Sequence, residues 1–156
     1  MLIFKNNRLH AGNISFTLPE NCRVVSRCNG YDAESGIIFK PMDESFFVMV
    51  EKEYSELSVK EYLIESVSPY GEESLEEVTL GGCQGYSAMY RDKTEQAYDI
   101  CLPMEDTEKD PDEQTFNILH ITLAILPQKG KTSDRDIQSA MNDPVFTDFL
   151  AGVEAF

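Results

Sequence analysis

Apolar and polar residues alternate along several short segments of the chain, which is the pattern of half-buried β-strands. The clearest example runs from Thr115 to Leu126, where aliphatic residues occupy one face and a mixed set that includes His120 and Thr122 occupies the other. The same pattern predicts further strands at residues 14–18, 23–28, 36–40, 46–54, 78–80, 83–91 and 96–102. Glycines at 81 and 82 predict a tight turn between two of these strands.

Helical spacing replaces alternation in three places. Ser58 and Glu61 form a capping box, in which each side chain satisfies a free amide at the start of a helix that runs to Val67. Ser133 is predicted to cap a second helix. Asp143-Pro144 begins a third, with Asp as N-cap and Pro at the first helical position. Strands with inserted helices but no regular βαβ alternation predict an α+β fold.

The length and composition predict one globular domain over residues 1–156. A chain of 156 residues with 42% hydrophobic residues is long enough to bury a core without disulfides or metals. The start of the chain has too few apolar residues for a signal-peptide core. The apolar run at 116–126 is interrupted by polar residues and far too short for a membrane span. These features predict a cytoplasmic protein.

The charge is strongly and unevenly acidic. The chain has 28 acidic and 13 basic residues, a net charge of −15. Residues 1–40 carry five basic and three acidic residues, whereas residues 41–156 carry eight and 25. Binding to nucleic acid or an anionic membrane needs a basic surface, so neither is predicted.

The four cysteines and two histidines show no metal or catalytic signature. Cys22, Cys28, Cys83 and Cys101 lack the close pairs of a zinc site, so free thiols and no metal or cofactor are predicted. In an oxidising compartment, Cys22 and Cys28 are the favoured disulfide.

His120 supports an alternative prediction. A histidine in mid-strand is usually a hydrogen-bonded structural residue. The alternative is a small hydrolase that pairs His120 with a cysteine or a carboxylate. It requires His120 to be exposed in a pocket near Cys83, Cys101 or an acidic residue.

The most acidic segment is the predicted loop at 105–113, which has six acidic residues and one basic residue. A solvated hairpin loop is the first interpretation. A contact with a basic partner is the second, and a weak cation site is the third, although the glycine and final glutamate of a calcium loop are missing. The candidate partner contacts are Asp106, Glu108, Asp110, Asp112 and Glu113.

The segment Ile14–Glu20 resembles the opening F-x-L-P strand of PsbP-like domains, a superfamily that includes DcrB-like bacterial proteins and a Ran-binding import factor. The order of predicted elements is also similar over most of the chain, although Asn21-Cys22 stands where the family has Gly-Trp. The resemblance implies an α/β/α sandwich, that is, an antiparallel sheet flanked by helices on both faces. It also implies a non-catalytic binding, adaptor or chaperone-like domain with a protein partner.

Overall fold

The computed structural model describes residues 2–32, 34–68, 74–91, 95–106, 115–126 and 135–156. The helices in these ranges are α1 (Val59–Val67), α2 (Ile137–Met141) and α3 (Pro144–Ala151). The strands are β1 (Ile3–Lys5), β2 (Arg8–Ala11), β3 (Ile14–Phe16), β4 (Cys22–Val25), β5 (Arg27–Cys28), β6 (Tyr31–Asp32), β7 (Gly36–Pro41), β8 (Phe46–Glu53), β9 (Glu76–Leu80), β10 (Cys83–Arg91), β11 (Gln96–Pro103), β12 (Ile118–Ile125) and β13 (Glu154–Ala155).

Seven strands form the main sheet, in the order β4-β7-β8-β12-β11-β10-β9. Each neighbouring pair in this sheet is antiparallel. The central strand β12 pairs with β8 on one side and β11 on the other, so that His120 lies opposite Glu51 and Cys101. A second sheet has the order β1-β2-β3-β13 and joins the two ends of the chain.

The main core fills the space between one face of the main sheet, the small sheet, α2 and α3. Aromatic rings at its centre link these layers. The ring of Phe149 on α3 contacts Phe16 of the small sheet and Phe39 of the main sheet, at centroid distances of 5.5 and 5.3 Å. All three side chains are fully buried.

Two small elements cover the opposite face of the main sheet. Helix α1 buries Leu63 and Val67 at one end, against Cys101 and its neighbours. At the other end, the β5–β6 hairpin buries Cys28 against Phe47 and Met49. A strip of the sheet between these covers carries polar side chains.

The predicted α+β fold, an α/β/α sandwich with helices flanking both faces, is wrong. The described residues are mostly antiparallel β-structure, and their helices have only nine, five and eight residues. In the described ranges, neither face of the main sheet carries a complete helical layer, because a four-stranded sheet and a β-hairpin do much of the covering. The antiparallel arrangement itself agrees with the prediction.

Local signals in the sequence correspond to the observed helix ends and turns. The Ser58 hydroxyl accepts a hydrogen bond from the Glu61 amide at 3.2 Å, and Asp143 caps α3. Gly81 and Gly82 have φ angles of +55° and +84° and form the two-residue turn between β9 and β10. Ser133, the predicted cap of the second helix, lies outside the described residues. The observed N-cap of α2 is Asp136.

No helix in the described ranges is both long and apolar enough to cross a membrane.

Candidate functional site

The polar strip between α1 and the β5–β6 hairpin brings together residues from three neighbouring strands. Glu51 lies on β8, His120 and Thr122 on β12, and Asp99 on β11. The antiparallel register places His120 opposite Glu51 and places Thr122 opposite Asp99. Side chains of alternate residues share a face, so all four point to the same side of the sheet.

Asp99 is the centre of this polar cluster. Its Oδ1 atom lies 2.7 Å from Nε2 of His120 and accepts a hydrogen bond from the Thr122 hydroxyl at 2.9 Å. The exposed fractions of Asp99, Thr122 and His120 are 5%, 7% and 9%. The Tyr62 ring of α1 meets the imidazole edge-to-face, with the centroids 5.8 Å apart. Asp99, His120 and Thr122 therefore form a buried hydrogen-bonded network.

The charges of the cluster perturb its titration. Burial acts to lower the pKa of His120, but the hydrogen bond to Asp99 and the charges of Asp99, Glu51 and Glu53 outweigh it and raise that pKa above its usual value. Burial and the neighbouring Glu53 raise the pKa of Glu51 to about 7. The carboxylates around His120 thus favour its protonated form, and burial favours the protonated form of Glu51.

The hydrolase alternative required an exposed His120. The structure does place His120 beside a carboxylate and opposite Cys101, but it buries all three side chains. Burial and nearby carboxylates raise the pKa of the Cys101 thiol, which keeps it protonated and a poor nucleophile. Cys83 packs against the main core, on the other face of the sheet. All four cysteines are free thiols.

A cavity lies beside the cluster, between the β5–β6 hairpin and the end of the main sheet. We call it the hairpin cavity; its volume is about 390 Å³. Its wall contains two tyrosines, several polar side chains and a small apolar floor: Asn29, Gly30, Tyr31, Tyr90, Glu95, Gln96, Ala97, Thr122, Ala124 and Ile125. Thr122 belongs to both the cavity and the cluster, so its hydroxyl connects the cavity wall to the buried Asp99.

The pKa of Tyr31 is affected by carboxylates near this cavity. Its ring packs on Phe47 with a centroid distance of 5.5 Å and is 41% exposed. Burial raises the pKa of Tyr31, and the carboxylates of Glu95, Asp99 and Glu51 raise it further. The carboxylates of Glu95, Asp99 and Glu51 are thus close enough to the cavity to affect its tyrosine.

The sequence did not identify the hairpin cavity, although two signals for it were present. The Asn29-Gly30 dipeptide is a strong hairpin signal, and both residues have positive φ angles, 49° and 85°. Asp99 is a charged residue in the middle of an apolar strand, a pattern that indicates a polar partner on the neighbouring strand.

The acidic loop is mostly outside the described residues. Asp106 is described and half-buried, whereas Glu108, Asp110, Asp112 and Glu113 fall outside those ranges. Its assignment as a partner contact or a cation site stays a prediction. Within the described ranges, no three histidine, cysteine or acidic side chains are placed to hold a metal ion.

The chain matches no protein-family model and no curated protein. Two solved structures are similar to it. One is LpqN of Mycobacterium tuberculosis, described as involved in cell envelope biogenesis, with 13% identity, a TM-score of 0.48, and coverage of 90% of this chain and 82% of LpqN. The other is a protein of Bacteroides thetaiotaomicron VPI-5482, with 14% identity, a TM-score of 0.44, and coverage of 98% of this chain and 49% of that protein.

This chain therefore spans about half the length of the Bacteroides protein. Neither likeness carries a function to this chain. Membership of the PsbP-like superfamily stays a prediction, as does the cytoplasmic location.

Proposed function

We propose that this protein is a non-catalytic binding domain that engages a protein partner through the hairpin cavity. The observation that carries the proposal is the cavity itself, which combines aromatic walls, polar side chains and a link through Thr122 to a buried charge. Its volume of about 390 Å³ is within the range of roughly 300–1,000 Å³ for ligand pockets. A site of this size suits one side chain of a partner.

The polar cluster supports binding rather than catalysis. His120 and Thr122 both direct polar atoms at the same carboxylate oxygen of Asp99. A general base needs to be within hydrogen-bond reach of its substrate, and His120 is 9% exposed with Nε2 already engaged. The cluster is better suited to hold β11 and β12 in register beneath the cavity.

A protein partner also agrees with the resemblance to PsbP-like domains, whose members are mostly binding and assembly modules. The strongly acidic surface favours association with a basic partner, because long-range attraction raises the rate of encounter. The cavity gives such a partner a defined anchoring point.

The test is nuclear magnetic resonance mapping of the ¹⁵N-labelled protein with a panel of N-acetyl amino-acid methylamides covering acidic, basic, neutral polar and apolar side chains. We expect saturable shifts at the amides of Tyr31, Ala97, Thr122 and Ala124 with at least one class. The variant Ala124→Leu should remove them by filling the cavity.

The matched control is Ala155→Leu, which makes the same change beside a different cavity, near Phe156. This variant should bind as the wild type does. The proposal is wrong if no class shifts the cavity amides, or if Ala124→Leu binds as well as the wild type while remaining folded.

A further inference from the structure

We propose that the hairpin cavity binds the ammonium or guanidinium group of a lysine or arginine side chain from the partner. This inference rests on the proposed function and deepens it by stating the chemistry of the bound group. Three features of the cavity carry the argument: its aromatic walls, its negative charge and its position at the surface.

The first feature is the pair of tyrosines in the wall. Tyr31 comes from the hairpin and Tyr90 from the end of β10, so the two rings reach the cavity from separate elements. Organic cations bind favourably over the faces of aromatic rings. The aliphatic stem of lysine or arginine can at the same time pack on apolar surface, here offered by Ala97 and Ala124.

The second feature is the sign of the charge. Glu95 is in the cavity wall, and Asp99 lies directly behind the Thr122 hydroxyl. No lysine or arginine is among the lining residues in the described part of the chain. Glu95 is therefore the acidic side chain of the described cavity wall, and the Asp99 carboxylate lies behind that wall. Such an environment disfavours anionic groups and attracts cationic ones.

The third feature is access. The hairpin residues Asn29, Gly30 and Tyr31 are exposed, and so is Glu95 at the other side of the wall. A side chain projecting from a protein surface can therefore enter the cavity without unfolding the hairpin. The carboxylate of Glu95 in the wall favours a long side chain that carries its cation at the tip, which describes lysine and arginine.

The experiment compares four probes by the same chemical-shift mapping on the full chain. They are N-acetyl-lysine methylamide, its Nε-acetylated form, N-acetyl-norleucine methylamide and n-butylammonium. We expect the lysine derivative to bind at the cavity amides, and the two uncharged analogues to bind at least about five-fold more weakly. Raising the salt to about 0.5 M should weaken the lysine complex, because screening reduces the attraction of exposed charges.

Two variants test which cavity residues contribute to lysine binding. Tyr31→Leu removes an aromatic face and should weaken lysine binding about two- to five-fold, the effect of a partly exposed cation–π contact. Glu95→Gln should weaken it to a similar extent. Glu105→Gln is the matched control, because Glu105 is an exposed acid beyond the opposite end of β11 and should have no effect. Dispersed amide spectra confirm that each variant is folded.

The possible outcomes separate this inference from the proposed function. If the norleucine or the Nε-acetylated probe binds as tightly as the lysine derivative, the preference for a cation is wrong, but the proposed function of the cavity as a binding site stands. Butylammonium is the lysine side chain without its backbone groups, so it should bind about as tightly as the lysine derivative. Binding of the lysine derivative without binding of butylammonium would overturn the assignment of the side-chain cation as the bound group. An absence of shifts with every probe, together with none in the wider panel, overturns both proposals.

Discussion

Oδ1 of Asp99 lies 2.7 Å from Nε2 of His120, although 21 positions separate the two residues and they belong to different strands. The same oxygen accepts a hydrogen bond from Thr122 on the cavity wall. One buried carboxylate therefore satisfies two polar side chains on the central strand of the main sheet, and it lies directly behind the site proposed for a bound cation.

Removing this carboxylate should be costly. Asp99→Ala leaves the polar atoms of His120 and Thr122 buried without their acceptor, and breaking a buried charged pair typically costs about 3–5 kcal/mol. We expect the free energy of unfolding, measured by urea denaturation, to fall by about 2–4 kcal/mol. The exposed Asp148→Ala should change it by less than about 0.5 kcal/mol. An equal effect of the two variants would show that the cluster does not stabilise the fold.

The stability of the protein should depend on pH through Glu51. Its pKa is about 7 in the folded chain against 4.5 for an ordinary glutamate. A carboxyl with a raised pKa contributes stability that is fully present below pH 4.5 and is lost as the pH rises through 7. The raised pKa of His120 acts in the same direction, since its contribution is lost as the pH rises above the ordinary histidine range.

We therefore expect Glu51→Gln to melt at about the wild-type temperature near pH 4.5 and several degrees higher at pH 8. In a chain of this size, 1 kcal/mol corresponds to roughly 2–4 °C. Calorimetry across this pH range measures the difference between the variant and the wild type. Glu65→Gln, on the exposed side of α1, should show no such trend. A difference in melting temperature between Glu51→Gln and the wild type that does not change with pH would contradict a raised pKa for Glu51.

The contact of Phe149 with both sheets predicts a strong effect of truncation. Phe149→Ala opens a cavity between Phe16 and Phe39, and Phe→Ala changes in cores cost about 3–5 kcal/mol. The matched control is Phe156→Ala, because Phe156 is 72% exposed and stacks only on His10 among the described rings. Urea denaturation should separate the two variants by more than about 2 kcal/mol. Similar losses would mean that the small sheet does not share the core of the main sheet.

Adding a side chain at Gly85 should also destabilise the protein, here through a steric clash and not through a cavity. A Cβ atom at this position would lie 2.1 Å from the carbonyl oxygen of Cys101 on the neighbouring strand. Since a backbone carbonyl cannot move aside without disturbing the β10–β11 ladder, Gly85→Ala should destabilise the protein by at least about 2 kcal/mol. Gln84→Ala, an exposed change in the same strand, should cost little. A wild-type melting temperature for Gly85→Ala would show that the strands can separate locally.

The features read correctly from the sequence are those with local causes. The cap at Ser58, the Asp143-Pro144 helix start and the Gly81-Gly82 turn depend on backbone groups within a few residues of one another. The close approach at Gly85 also has a local signal, because a glycine inside a strand pattern indicates that another backbone lies near. The two faces of β12 were also predicted, since the alternation of apolar and polar residues along one strand indicates which residues share a face.

The features that the sequence did not predict depend on distant partners. Strands β1 and β2 lie in the segment before Ile14, where no strand was predicted, and β13 is a two-residue strand that exists because it pairs with β3. Phe146 and Phe149 on α3 are buried, whereas Phe156 lies past this strand and is exposed. Strands of two or three residues leave too short a pattern to be recognised without their neighbours.

The chain by itself determined where most strands of the main sheet and two of its helices lie, because burial periodicity and capping are properties of neighbouring residues. Only the tertiary structure decided the strand order, the replacement of helical layers by a small sheet and a hairpin, and the meeting of Asp99 with His120. The register between neighbouring strands determines which polar side chains come together on one face of the sheet. The alternation of residues within a single strand does not determine that register. The hairpin cavity, and with it the proposed binding site, depends on that register and on the packing of the β5–β6 hairpin against the main sheet.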